Sequence, residues 1–339
     1  MLPSKTVFVV GAGASNEVGL PVGTALRSII ASKLDLSVDF FKRVNGQGDP
    51  AIHEALIRHL QRDLGKAIEA CARIRKGLVL SSSIDDFIDA HRGDPYIALC
   101  GKLAIASAIL EAERNSKLFF QRTHIDDTIN FAGIENTWYV GFYRLLTQQV
   151  SRDQLDSLFK NISVITFNYD RCIEHFLTHA IATNYHLPTE VASKLVQALP
   201  IYRPYGSVGP YVGQHDFDFG AKRPLEVDVV IKNVRTYTER IEDRAGLDAI
   251  RSAISDAKVI VFLGFAFHAN NMRVLGKENL YPPTKRIYAT RMGISDSDLE
   301  VIQNQLTRLC GLAGGQFHFT AESRRCADLF NQYQLSLRQ

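Results

Sequence analysis

The chain has 339 residues, of which 46% are hydrophobic and 22% are charged, as in a typical soluble globular protein. The formal net charge is only +3, and no run of Lys and Arg is longer than two residues. These features argue against sequence-specific nucleic acid or an anionic membrane as a partner. The five cysteines are dispersed without a C-x-x-C pair. They predict reduced thiols in a cytoplasmic protein and no metal site.

The N-terminal segment predicts a strand, a glycine turn and a helix. Residues Thr6–Val10 form a short β-branched run that ends in glycine, which indicates a buried strand. Because Gly11 and Gly13 interrupt this apolar run, we expect neither a signal peptide nor a membrane span. A helix is expected to follow over Val22–Leu34.

Helical periodicity dominates residues 35–159. Apolar residues recur there at the spacing of amphipathic helices, as in AIHEALIRHLQRDLGKAIEACARI. No Pro/Gly-rich linker separates this block from the rest of the chain. The sequence therefore predicts a helical insertion after the first βα unit, packed on a domain made of residues 1–34 and 160–339.

Strand-like runs return after the insertion and alternate with helical patterns. Runs that are apolar throughout and separated by helices predict a parallel sheet with both faces covered. The fold class is therefore α/β, a Rossmann-like parallel sheet with helices on both faces. The further strands are predicted at Ile162–Phe167, Glu226–Ile231, Lys258–Gly264, Arg286–Thr290 and Gln316–Thr320.

The glycine turn after the first strand is the first candidate site. A glycine turn at a helix N-terminus presents backbone N–H groups to which a diphosphate binds. Gly11 and Gly13 would let a ligand approach the backbone, and Ser15 could add a hydroxyl. The pattern departs from G-x-G-x-x-G because its sixth position is Asn16. A tight βα turn without a ligand is the alternative interpretation.

The second candidate site follows the predicted strand at Ile162–Phe167. Asn168 and Asp170 come directly after it, and ligands of open α/β sheets bind outside the carboxyl ends of the strands. A polar amide at this point needs a hydrogen-bond partner. Asp170 could instead serve only as the N-cap of the next helix.

The third candidate site follows the predicted strand at Lys258–Gly264. The strand ends in a glycine, and a polar cluster of His268, Asn270 and Asn271 comes after it. Because the carboxyl ends of parallel strands meet at one edge of a sheet, the three candidate sites predict a single crevice.

Together these strand ends resemble the sirtuin-like NAD-binding family, and within it the bacterial anti-phage defence branch. The resemblance covers about residues 1–34 and 160–320, and the insertion matches only through Ser81–Ile88. It extends to KRIYATRMGISDSDLEVI near the C-terminus. The residues that carry it are Gly11, Ala12, Gly13, Ala14, Ser15, Gly19, Leu20, Pro21, Phe167, Asn168, Tyr169, Asp170, Leu263, Gly264, Phe265, His268 and Asn271.

The resemblance implies a role for each motif. The loop from Gly11 to Ser15, with Pro21 behind it, would hold the NAD diphosphate. Asn168 would orient the nicotinamide-side ribose and an attacking water, while Asp170 would contact nicotinamide or fix the loop. Gly264 and Phe265 would approach the adenosine-side ribose, and Asn271 would also contact the dinucleotide.

Two departures from the family restrict the function. The four-cysteine zinc module of the protein-deacylating sirtuins is missing from the sequence, so we do not expect deacylation. The stretch that matches the family's His-Gly-Ser contains Tyr205 in place of the histidine. Tyrosine is a poor base near neutral pH because its ordinary pKa is about 10. His268 and His215 are the possible substitutes.

Two functions remain open, and a third is weaker. The first is an NAD hydrolase that yields nicotinamide and ADP-ribose, linear or cyclic, and depletes NAD when phage infection is sensed. By resemblance it would be a cytoplasmic homo-oligomer with a defence partner such as a motor ATPase, an Argonaute-like protein or another sensor. The second is a module that binds NAD or ADP-ribose with little turnover. The presence of Asn168, which could orient a water, favours the hydrolase. The tyrosine at position 205, which is a poor base, favours the binding module. A dehydrogenase is weaker, because it needs an acidic residue after a second strand about 20 residues past the glycine turn, and the helical block occupies that place.

The acidic pair in the SSSIDDFI segment is a further candidate. Asp85 and Asp86 are consecutive, so on a helix they point about 100° apart. We expect at most one of them to face the crevice. The alternative is a solvated helix start capped by Ser83.

Overall fold

The computed structural model describes residues 2–36, 46–124, 127–211, 219–220, 222, 224–276, 284–311 and 314–339. One parallel sheet of six strands forms the centre, in the order β3-β2-β1-β4-β5-β6. The predicted α/β fold class is therefore confirmed. The strands are β1 Thr6–Val10, β2 Ile162–Thr166, β3 Ile201–Tyr202, β4 Val259–Leu263, β5 Lys285–Ala289 and β6 Gly315–Phe319.

Helices surround this sheet. In the described ranges they are α1 Ala12–Ser15, α2 Gly23–Lys33, α3 Pro50–Leu60, α4 Leu64–Gly77, α5 Ile84–Ala90, α6 Pro95–Arg114, α7 Trp138–Thr147, α8 Cys172–Tyr185, α9 Thr189–Gln197, α10 Val227–Asn233, α11 Tyr237–Glu242, α12 Arg244–Asp256, α13 Ala269–Leu275, α14 Asp296–Cys310 and α15 Cys326–Tyr333.

Strand β1 lies at the centre of the sheet and joins its two halves. It is buried along its whole length, so its sequence is a continuous apolar run rather than an alternation of apolar and polar residues. Val10 at its carboxyl end is level with Thr166 of β2 and with Leu263 of β4. The loops that follow these three strands therefore leave the sheet side by side.

Both faces of the sheet are covered, and the predicted insertion contributes to both. Val7 and Val9 of β1 pack into a core formed with α2 to α6, α10, α12, α13 and α14. Phe8 and Val10 pack into a second core formed with α7, α8, α9 and α15. Alternate side chains of one strand thus enter opposite layers, as the pleat of a strand requires.

Helix α6 is the longest helix described and passes through the insertion. Its length and mean hydropathy of 1.4 would allow it to cross a membrane, but 67% of the apolar stretch is buried inside the protein. It is therefore a core helix. Near its end Glu113 forms a fully buried ion pair with Arg171, in which Nη2 lies 2.5 Å from Oε2. This pair ties the insertion to the start of α8.

Two strand predictions differ from the structure. The predicted strand Glu226–Ile231 is wrong, because this segment forms helix α10. Val227, Val230 and Val234 are buried at helical spacing, whereas Ile231 is 41% exposed. The valine-rich composition favoured a strand, but the spacing of the buried residues fits a helix. Strand β3 was not predicted, because only two residues pair there with β2.

Candidate functional site

The loops after β1 and β4 touch through their backbones. The Gly11 N–H donates to the Leu263 carbonyl at 2.9 Å, and the Gly13 N–H donates to the Gly264 carbonyl at 3.0 Å. A Cβ atom on Gly13 would lie 2.9 Å from the Gly264 Cα, and one on Gly264 would lie 2.1 Å from the Ala14 nitrogen. Gly264 also has a φ of +55°, which favours glycine.

The contact between the two loops requires glycine at positions 11 and 13 whether or not a ligand binds there. From the sequence, Gly11 and Gly13 were expected to let a ligand approach, but the atoms that approach them most closely belong to the β4 loop. The N–H groups of Gly11, Gly13 and Ala14 donate inside the protein. A diphosphate would therefore contact this turn through its remaining surface, which is the half-buried Ala12 and Gly13. Diphosphate binding here stays a prediction.

The loops after β1 and β2 are joined differently, by a buried network of side chains. The Asn168 Nδ2 donates to the Gly11 carbonyl at 3.1 Å and to the Ser15 Oγ at 2.9 Å. The Ser15 Oγ in turn donates to the Asp170 Oδ2 at 2.8 Å. Ser15, Asn168 and Asp170 are all buried, so the network fixes their rotamers.

The Asn168 amide has one orientation in this network. The Gly11 carbonyl can only accept a hydrogen bond, so the NH2 group must face it. Both hydrogens of Nδ2 are thereby used, and Oδ1 points away. No donor in the described part of the chain reaches Oδ1, which can therefore accept a hydrogen bond from a ligand or a water molecule.

Asp170 makes its contacts within the protein. Its Oδ1 accepts from the Cys172 N–H at 3.1 Å, at the first residue of α8, so the carboxylate also satisfies a backbone donor at the start of this helix. Burial raises its pKa, although the hydrogen bond from Ser15 and the charge of Arg203 oppose the shift. Of the two roles that the resemblance implies, fixing the loop matches these contacts.

Tyr205 meets the polar cluster after β4. Its hydroxyl donates to the Asn271 Oδ1 at 2.8 Å, and its ring lies 6.0 Å from that of Phe167. Burial, with a smaller contribution from the nearby Asp85 carboxylate, raises the pKa of Tyr205 above its ordinary value. The hydroxyl therefore keeps its proton at neutral pH and does not act as a base.

Both carboxylates of the SSSIDDFI segment reach the strand-end loops. The Tyr169 hydroxyl donates to Asp85, and the Asn270 Nδ2 approaches the Asp86 Oδ1 at 3.4 Å. Both contacts are with protein side chains, and the expectation that at most one of the two carboxylates faces a crevice stays a prediction. Ser83 caps the helix as predicted, with its Oγ accepting from the Asp86 N–H at 3.0 Å.

The Asp85 carboxyl has a pKa that is raised toward neutral. Burial raises this pKa to about 6, the hydrogen bond from Tyr169 opposes the shift, and the charge of Asp86 adds to it. A carboxylate with such a pKa is largely ionised at pH 7 and can still accept a proton.

Several predicted site residues lie elsewhere or outside the description. His268 is exposed at the start of α13, and no partner is described for its ring. His215 falls outside the described residues. The Phe265 ring is buried 5.1 Å from the Phe167 ring, so only its backbone could approach a ribose. Pro21 is half-buried in the turn before α2.

Two side chains near the site were not predicted from the sequence. Tyr139 on α7 brings its hydroxyl 3.5 Å from the Ser15 Oγ. Arg203, just after β3, donates from Nη1 to the carbonyls of Asn168 at 3.2 Å and Asp170 at 2.8 Å. Arg203 could have been found only by recognising β3, and Tyr139 carries no sequence signal beyond helical burial.

The fold and the strand ends define the class as a Rossmann-like α/β protein. Strand order reverses at β1, which is where such sheets bind ligands, and the buried polar side chains of Ser15, Asn168 and Asp170 lie at that point. No protein-family model matches the chain, and no match was found among curated proteins. Among the residues that the structure describes, no group of three or more His, Cys, Asp or Glu side chains could hold a metal ion.

Proposed function

We propose that this chain is an NAD hydrolase that cleaves the bond between nicotinamide and ribose to give nicotinamide and ADP-ribose. The observation that carries the proposal is the fixed Asn168 amide, whose Oδ1 is left without a protein donor at the carboxyl ends of β1 and β2. The resemblance of the strand-end motifs to sirtuin-like proteins supports NAD as the substrate.

The reaction needs little from the protein beyond positioning. The C1′–N1 bond breaks with its electron pair going to the ring nitrogen, so the pyridinium leaves as neutral nicotinamide. The water oxygen forms the new bond to C1′ and releases one proton. By accepting a hydrogen bond from this water, the Asn168 Oδ1 would hold the water oxygen toward the developing cation.

The released proton needs an acceptor, and Asp85 is the best suited described group. Tyr205 is unsuitable because burial raises its pKa, whereas the pKa of Asp85 is about 6. Asp85 would take the proton late in the reaction, directly or through a water molecule. His268 is the alternative acceptor carried over from the sequence.

The wider setting rests on the family resemblance. We propose that the dinucleotide contacts Ala12 and Gly13 with its diphosphate and Asn271 with a ribose, and that hydrolysis takes place in the cytoplasm. Depletion of NAD during phage infection, homo-oligomers and a partner such as a motor ATPase or another sensor protein belong to the same proposal.

One observation favours the second candidate, a module that binds NAD or ADP-ribose. Tyr205 stands where the family has histidine, and its hydroxyl is held by Asn271 rather than free to exchange a proton. A crevice with a fixed amide and no efficient base would bind the dinucleotide and turn it over slowly.

Incubation of the purified protein with NAD, followed by chromatography for nicotinamide, distinguishes the two functions. Asn168→Ala should leave NAD affinity within about tenfold and lower turnover by about a hundredfold, because it removes the group that orients the water, together with the hydrogen bonds to Gly11 and Ser15. Asn130→Ala, at the cap of a short 3-10 turn in the insertion, is the control and should match the parent. NAD binding without nicotinamide release would favour the binding module, and normal turnover by Asn168→Ala would exclude Asn168 from the mechanism.

A further inference from the structure

A cavity that is lined in part by Arg203 and Arg240 lies beside the segment after β3. Its walls are the segment after β3, the turn between α10 and α11, and the first half of α12, and its volume is about 340 Å³. Four cationic side chains line it, together with a single carboxylate, Asp243. The cations are Arg203, Lys232, Arg235 and Arg240.

Arg240 is the unusual member of this lining. The residue is only 3% exposed, and its Nε and Nη1 atoms have no hydrogen-bond partner among the described residues. Its guanidinium carbon lies 4.5 Å from the centre of the Tyr237 ring and 5.9 Å from that of Tyr205. Aromatic faces compensate a buried charge only in part, and unpaired N–H groups are costly.

The other charges of the cavity do not supply this missing acceptor. Asp243 is held by Arg235, whose Nη1 lies 2.5 Å from Oδ2, and it also accepts from the Gly246 N–H. Arg203 is paired with Glu174 outside the lining, at 2.6 Å. Lys232 is exposed at the rim. The cavity therefore has more cationic than anionic groups, and the buried guanidinium fork of Arg240 forms part of its lining.

We propose that this cavity binds the phosphate group of a small phosphorylated molecule. A guanidinium forms charge-assisted hydrogen bonds with phosphate oxygens, and the Arg240 guanidinium has donors at Nε and Nη1 without a partner in the described part of the chain. The volume is within the range of about 300–1,000 Å³ for small-molecule sites, so it accommodates an organic part against Leu247 and Ile250.

The site is distinct from the proposed hydrolytic crevice and does not depend on it. Its lining does not include Ser15, Asn168 or Asp170, and Tyr205 lies between Arg240 and Asn271, with its ring near Arg240 and its hydroxyl on Asn271. An occupant that draws the guanidinium toward its phosphate would alter the packing of the Tyr205 ring. Binding of the ligand would thus be transmitted to the strand ends through one side chain, that of Tyr205.

Calorimetric titration of the full chain with inorganic phosphate, ribose 5-phosphate and NAD tests the proposal. The parent should bind the phosphate compounds saturably, and Arg240→Met should weaken this by about tenfold or more. Lys232→Gln should weaken it by a few fold. The matched control is Arg144→Gln, an exposed arginine paired with Glu135 on another surface, which should bind like the parent.

A thermal melt without ligand separates binding from folding. Arg240→Met should melt at the same or a higher temperature, because it removes an unpaired buried charge. If it fails to fold, Arg240→Lys, which keeps the charge but not the fork, should fold and bind phosphate more weakly. No saturable binding by the parent, or parent-like affinity in the folded Arg240 variants, would overturn the proposal.

Two further titrations identify the source of the phosphate and keep this site apart from the hydrolase proposal. Asn168→Ala should bind ribose 5-phosphate like the parent even if neither protein releases nicotinamide. If NAD displaces ribose 5-phosphate, and its binding falls equally in Arg240→Met, the phosphate belongs to the dinucleotide. If it does not, the ligand is a separate phosphate ester.

Discussion

The two neighbours of β1 are joined to it in opposite ways. On the β4 side, Gly13 and Gly264 meet through backbone atoms alone, with no room for a Cβ atom. On the β2 side, Ser15, Asn168 and Asp170 form a network of side chains. Backbone contact uses its donors and acceptors internally, whereas the side-chain network leaves the Asn168 Oδ1 free. Chemistry is therefore expected on the β2 side and rigidity on the β4 side.

The largest effect should come from placing a side chain in the backbone contact. Gly264→Ala would put a Cβ atom 2.1 Å from the Ala14 nitrogen at a φ of +55°, which should destabilise the fold by about 4 kcal/mol or prevent folding. Gly13→Val should also destabilise it, so this variant is a poor probe of NAD binding alone. Denaturant unfolding measures both, with Gly23→Ala, in open space, as the control.

The connection on the β2 side can be tested through the buried ion pair between Glu113 and Arg171, which lies next to it in the chain. Glu113→Gln removes the carboxylate that faces the Arg171 guanidinium, next in the chain to Asp170. Losing one partner of a buried pair costs about 3 kcal/mol or more. Glu135→Gln, in an exposed pair with Arg144, should change the unfolding free energy by less than about 0.5 kcal/mol. Equal effects in the two variants would contradict the role of burial.

The pH dependence of turnover tests Asp85. Because its pKa is raised to about 6 in the folded protein, the carboxylate is protonated below that pH, and turnover should rise as pH increases through 6. Asp85→Asn should lower turnover by about tenfold or more at pH 7 and remove this rise. A raised pKa of an acid also makes the parent less stable as pH rises from about 4 to 6, and the variant should lose that slope. Asp86→Asn should keep both the rise and the slope but move them to lower pH, because the charge of Asp86 adds to the raised pKa of Asp85.

The smallest effects are expected from substitutions of Tyr205, which refine the comparison between the two sides of β1. Tyr205→Phe removes the hydrogen bond to Asn271, at a cost of about 1 kcal/mol in stability and a modest loss of turnover. Tyr205→His restores the residue usual in the family and should retain or raise turnover. If both variants match the parent in a nicotinamide assay, the alignment of this stretch with His-Gly-Ser is wrong.

The sequence predicted the features that depend on local patterns of residues. β1, β4 and the polar residues after β2 were found because long apolar runs end in glycine or Asn168. β3 was missed because two residues carry no periodicity. The valine-rich α10 was predicted as a strand, because composition outweighed the 3.6-residue spacing of its buried positions.

Other features depend on tertiary contacts that no local pattern encodes. The glycine turn was assigned to a ligand, whereas its closest neighbour, Gly264, lies some 250 residues further along the chain. The approach of Asp85 and Asp86 to the strand-end loops depends on where the insertion docks. The unpaired Arg240 could not be recognised, since an arginine in a helix is ordinarily exposed.

The central position of β1 also affects how the protein is made. Its partners β2 and β4 end at Thr166 and Leu263, so β1 is synthesised well before either strand with which it pairs. At about 5–20 residues per second, this apolar segment waits on the order of 10 to 50 seconds for β4. The helices between β1 and β2 have local contacts and can form meanwhile. They are the part of the growing chain able to shield β1 until the sheet closes around it.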